Sequence, residues 1–134
     1  MFFRGDHPTY RAYDLDYMNT TVLSLDSGYL DGTEGDIHNE WISQVLDQSM
    51  GKHVIAFYHN PIFPVCDMVG NANEMSQREL WKKMFLEKGV DVIFENHEHT
   101  FKKGTRYAWQ DGKAVEDPNG QLLAMGNGAW SVVP

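Results

Sequence analysis

The sequence predicts an α/β fold built on a mixed β-sheet, and three observations predict it. His53-Val-Ile-Ala-Phe-Tyr58 and Val90-Asp-Val-Ile-Phe-Glu95 are short runs, β-branched or aromatic, with no helical period. Such runs read as buried strands of a parallel sheet. The segment between them carries apolar residues at helical spacing, so the three pieces form a right-handed βαβ unit whose strands end on one edge of the sheet. Finally, each run is followed at once by histidine: His59 after the first, His97 and His99 after the second. Ligands of open α/β sheets bind in the crevice beyond the carboxyl ends of the strands, where these three imidazoles gather.

The elements follow in order. Tyr10-Arg-Ala-Tyr-Asp-Leu-Asp-Tyr17 alternates loosely and Thr20-Thr-Val-Leu-Ser-Leu25 is β-rich, with Met18-Asn19 as the turn of a hairpin. Asp26 to Gly35 is rich in Asp, Gly and Ser and reads as a loop leading to a helix capped by Asp36. Ile37, Trp41, Ile42, Val45 and Leu46 form its apolar stripe, and Gly51 stops it. After the first histidine-bearing strand, Asn60 to Met75 is a loop punctuated by Pro61, Pro64 and Gly70. Ser76-Gln-Arg-Glu79 reads as a capping box, followed by Leu80, Trp81, Met84 and Phe85 on one face, Lys88 in the last turn and Gly89 past the end. Beyond His99 the chain alternates from Phe101 to Trp109. A polar turn, Asp111 to Gly120, then leads to a last strand, Gln121 to Met125, ending at Gly126-Asn-Gly128.

Composition narrows the function. A chain of 134 residues fits a single domain, 1–134, and buries roughly two-thirds of its unfolded surface. Its formal charge of -8 argues against a nucleic-acid backbone as partner, since such binding needs clustered Lys and Arg. No run reaches the length of a membrane span, and no secretory signal is visible at the start. The single cysteine, Cys66, excludes an intrachain disulfide and a cysteine-based zinc cluster. A phosphorylated small molecule stays admissible, because bound cations dominate a local field whatever the net charge.

His97 and His99 are two apart, so in an extended chain they share a face about 6.6 Å apart. With His59 they can serve one metal, two metals about 3.5–4 Å apart, or an ordinary polar cluster, and spacing leaves all three open. Glu98 points the other way and reads as a supporting or surface residue. Asp26 reads as a loop cap. Asn60 either orients a phosphate oxygen or starts the turn. His38 and His53 lie away from the cluster. Gly5-Asp6-His7 reads as a loop, and Asn19-Thr-Thr21 matches a glycosylation sequon in a tight turn.

Val90-Asp-Val-Ile-Phe-Glu-Asn-His-Glu-His99, preceded by a helix and by Ala56-Phe-Tyr-His-Asn-Pro61, resembles the last two metal-binding motifs of the calcineurin-like metallophosphoesterases, nearest to purple-acid-phosphatase-like members. The resemblance runs over nearly the whole chain. It implies a mixed sheet with helices on one face, half of a four-layer αββα sandwich, the other face uncovered. It also implies metal-dependent hydrolysis of a phosphoester substrate by metal-activated water, with divalent or trivalent ions (Zn, Fe or Mn) in a dinuclear site. His59 and His97 would bind one ion and His99 the other. Asn96 stands where the family has glycine, a residue type that tolerates a left-handed backbone. The family's earlier motifs, with the bridging aspartate and the Asn-His pair, are not in this sequence. The chain therefore looks like the carboxyl-terminal half of such a domain, able to hold one Zn²⁺ on three histidines rather than two mutually repelling ions. The rival expectation is a non-catalytic module that binds at most one metal and associates, as a homo-oligomer or with a partner chain, through its bare sheet face.

Overall fold

The computed structural model describes residues 2–4, 10–28, 32–65 and 72–127. Gly5-Asp6-His7 and Cys66 lie outside the described residues. The element order is β1 (Phe2–Arg4), β2 (Arg11–Leu15), β3 (Thr20–Ser24), α1 (Gly32–Gln48), β4 (His53–Phe57), α2 (Ala72–Glu87), β5 (Val92–Glu95), β6 (Phe101–Gln110), β7 (Lys113–Glu116) and β8 (Leu122–Asn127). The eight strands among the described residues join in one mixed sheet, in the order β1-β2-β3-β4-β5-β8-β6-β7. This is an α/β architecture.

Its centre is parallel: β3 with β4, β4 with β5, and β5 with β8. Both helices are thus crossovers between parallel neighbours, and the ends of β4 and β5 fall on one edge. The β2–β3 hairpin forms as expected, with a 3-10 turn over Asp16–Met18 and Asn19 in the left-handed region. Asn19 Nδ2 and the Asn19 carbonyl tie that turn to Gly51 and His53, fixing the start of β4.

One row of side chains crosses five strands through the register Ala12, Leu23, Ala56, Ile93, Ala124. Every member is fully buried, against Ile42, Val45 and Leu46 of α1 and Trp81, Met84, Phe85 and Leu86 of α2. Both helices therefore cover the same face. The neighbouring row, Tyr13, Val22, Ile55, Val92, Leu123, points the other way and is only partly buried. Beside it Phe57 and Phe94 stack with ring centroids 4.7 Å apart, and Phe57 is 43% exposed. Among the described residues no helix lies on this second face.

Several elements differ from the sequence reading. β1 was not expected. α1 begins at Gly32, ahead of Asp36, and its buried side is Gly35, His38, Ile42, Val45 and Leu46, while Ile37 is 54% exposed. His38 takes the inward position by stacking on Tyr10 at 4.1 Å and meeting Trp81 edge-on. Tertiary packing here outweighs the poor helix propensity of the glycines. α2 likewise begins at Ala72, so Ser76 sits inside the helix rather than capping it, and Leu80 is 43% exposed. The segment Asp111 to Gly120 holds a strand as well as turns: Asp111 and Gly112 both have positive φ and close a two-residue hairpin between β6 and β7.

Candidate metal centre

His59 and His97 meet just past the carboxyl ends of β4 and β5. Tyr58 N–H donates to the Phe94 carbonyl (3.2 Å) and Asn96 N–H to the His59 carbonyl (3.1 Å), extending the strand pairing to the two histidines. Their rings lie edge to face, with His97 Nδ1 and His59 Nε2 2.9 Å apart. His59 itself is held from the third side by the loop after β3. Ser27 Oγ accepts the His59 and Asn60 N–H groups (3.1 and 2.7 Å), and the Asn60 side-chain amide donates to the Ser27 carbonyl at 3.0 Å. Asn60 therefore fastens this loop to the end of β4, a role not among the two expected of it. Asp26 Oδ1 accepts Gly28 N–H at 2.8 Å, the loop cap expected of it.

The backbone beyond β5 is not extended. His97 and His99 both occupy the left-handed region, with φ of 53° and 50°, and Glu98 N–H turns back to the Asn96 carbonyl. The expected side-by-side display of His97 and His99 is thus replaced by a tight bend. Asn96, expected to carry the left-handed conformation, is not among the residues with positive φ. Two left-handed histidines in three residues hold strain, which clusters at functional sites. Glu98, expected to point away, reaches back to accept Val65 N–H with both oxygens at 3.0 Å.

His99 is exposed. Among the described residues no group of three or more His, Cys, Asp or Glu side chains is close enough to hold a metal ion. Two neutral imidazoles fit half of a tetrahedral set. Zn–N bonds of about 2.0–2.1 Å place two ligand nitrogens roughly 3.3 Å apart, so the 2.9 Å pair would open by about 0.4 Å to receive an ion. Partial burial, and then the nearby His97 and His99, hold His59 below the ordinary histidine value. It is therefore neutral at physiological pH, the form that ligates metals.

Beneath the pair lies a cluster that the sequence reading missed. Glu95, 1% exposed, ends β5 and its Oε1 accepts from Tyr58 Oη (2.8 Å), Ile62 N–H (2.6 Å) and Phe63 N–H (3.2 Å). Its Oε2 pairs with Lys102 Nζ, which also donates to the Phe63 carbonyl. Burial and the Glu95 charge push the Tyr58 hydroxyl well above its usual value, and burial with Glu116 and Glu95 takes Tyr107 to about 12. Both phenols are thus held neutral, and Tyr58 donates to Glu95. A signal was available: Glu95 has the parity of Ile93, and Tyr58 that of Ala56 and Val54, so both polar groups had to face the helices. Ser27 carried no comparable signal.

Neither protein-family models nor curated protein sequences give a match to this chain.

Proposed function

We propose that this chain supplies the histidine ligands His59, His97 and His99 to a metal-dependent phosphoester hydrolase of the calcineurin-like metallophosphoesterase type, its sheet forming half of a four-layer sandwich. The observation that carries the reading is the His59–His97 contact, 2.9 Å across the carboxyl ends of adjacent parallel strands. A bound Zn, Fe or Mn ion would supply Lewis acidity toward a phosphoryl oxygen. His59 and His97 would hold it, with His99 as the proposed third ligand, and Asn60 stays engaged with Ser27. Nothing among the described residues offers a bridging carboxylate beside the histidines. The isolated chain therefore binds one ion and turns over negligibly. Calorimetric titration with Zn²⁺ tests the first half: one equivalent is expected in the parent, and none after His59→Ala or His97→Ala. Assay on a generic phosphomonoester tests the second, and robust metal-dependent turnover would show that these histidines suffice.

A second reading is favoured by the apolar sheet face. Ile55, Phe57, Val92, Phe94, Leu123 and Met125 lie side by side on a sheet face that no described helix covers, which suits a module that associates through this face with itself or another chain. A parent protein that takes up no Zn²⁺ but self-associates would favour this reading over the first.

A further inference from the structure

Glu95 and Lys102 are the deepest charges near the histidines, 1% and 5% exposed. Taking such a pair out of water costs several kcal/mol per ion, and apolar residues of similar volume serve stability as well or better. Stability alone is a poor reason for them. Their contacts indicate another. Glu95 Oε1 gathers the Ile62 and Phe63 N–H groups and the Tyr58 hydroxyl, while Lys102 bridges Glu95 Oε2 to the Phe63 carbonyl. His59 lies between Tyr58 and Ile62, inside the segment wrapped around this carboxylate. His97 lies two residues after the carboxylate itself. The one side chain thus fixes both ends of the imidazole pair, from the strand that carries His97 to the loop that carries His59.

We infer that Glu95, clamped by Lys102, is a positioning residue that sets the His59–His97 separation. The inference rests on the metal reading of the pair for its purpose, but not for its geometry. The acceptor oxygen does the positioning, because the loop amides see Oε1. Lys102 orients the carboxylate so that this oxygen faces the loop. Phe63 reinforces the arrangement, its ring stacked on Tyr107 at 3.8 Å with Lys102 Nζ 5.9 Å from its centroid.

Two double variants separate positioning from folding. Glu95→Gln/Lys102→Met removes both charges and keeps an acceptor oxygen for Ile62 and Phe63. Glu95→Leu/Lys102→Met removes both charges and the acceptor, leaving the Tyr58, Ile62 and Phe63 donors without a partner at some cost in thermal stability. In the apo protein, the NMR cross-peak between the His59 and His97 ring protons should persist in the first variant and vanish in the second. Zn²⁺ affinity should stay within about threefold of the parent in the first and fall by about 10–100-fold in the second. A Leu/Met variant that keeps the cross-peak, or two variants that behave alike, overturns the inference. If the Leu/Met variant does not fold, amide exchange in the parent decides: Ile62 and Phe63 should be protected like Phe94 of β5, and free-loop exchange there overturns it. A parent that shows the cross-peak pattern but binds no Zn²⁺ upholds the positioning and defeats the metal reading.

Discussion

Neutrality is the property that His59 brings to the site, and it has a measurable signature. Because its folded pKa lies below the unfolded value of 6.5, the unfolded chain holds the extra proton in the interval between them. Stability rises with pH across that interval, is complete above 6.5, and is lost as pH falls toward the lowered folded value. Denaturant titrations from about pH 7.5 to 5 should show this slope in the apo protein, and His59→Gln should flatten it. At His99 the issue is backbone strain: with φ of 50°, any L-residue is disfavoured there. His99→Gly should exceed His99→Ala in unfolding free energy by about 1 kcal/mol, while both lose the imidazole. At Lys102, truncation leaves Glu95 buried and uncompensated. Lys102→Met alone should cost about 3–5 kcal/mol in urea denaturation, a loss that removing the Glu95 charge as well restores.

Strand β8 is the element on which the site rests. It pairs with β5 so closely that a Cβ on Gly126 would come within 2.3 Å of the Glu95 carbonyl oxygen and 3.2 Å of Lys102 Cβ. Gly126→Ala therefore has to push β8 away from the carboxyl end of β5. The expected outcome is a stability loss of at least about 1–3 kcal/mol, with exchange protection at Glu95 and Asn96 falling more than at Val92. Legibility at this scale varied for physical reasons. β4 and β5 were readable because their short β-branched and aromatic runs carry no helical period, and the Met84–Phe85 face of α2 because burial on one side of a helix leaves a periodic trace. The beginnings of α1 and α2 left no such trace, because Gly32–Gly35 and Ala72–Met75 are too short and too polar to show a helical period. The Asp111–Gly112 hairpin was legible in principle, as Asp-Gly is the residue pair that a two-residue turn with positive φ requires.

For the whole molecule, the arrangement that matters is one face covered and one face apolar. The rows through Val22, Ile55 and Val92 and through Phe57 and Phe94 have no described helix above them. Arg11 and Arg106 share this face at its two flanks, by register with Ser24 and Leu123. Association should follow from the apolar area, with a modest salt dependence from the arginines. Light scattering on the purified chain should show concentration-dependent mass, reduced by Phe94→Lys, whose side chain stacks on Phe57 rather than packing beneath the helices. A monomer that resists both concentration and dilution would contradict this and weaken the reading of the sheet as half of a sandwich.

The sequence by itself determined that this is an α/β chain, that β4 and β5 are parallel neighbours across a helix, and that His59 and His97 end on the same edge. These are consequences of periodicity and of connection geometry, both local or nearly so. Only the tertiary structure decided that His97 and His99 bend into the left-handed region rather than lie side by side, and that Glu95 and Lys102 form a buried pair beneath them. The bend is set by contacts between segments far apart in sequence, such as Glu98 with Val65 and Asn96 with His59. A buried charge is tolerable only where its partner arrives from another strand, so the pairing of Glu95 with Lys102 exists in the packed sheet and not in the order of residues.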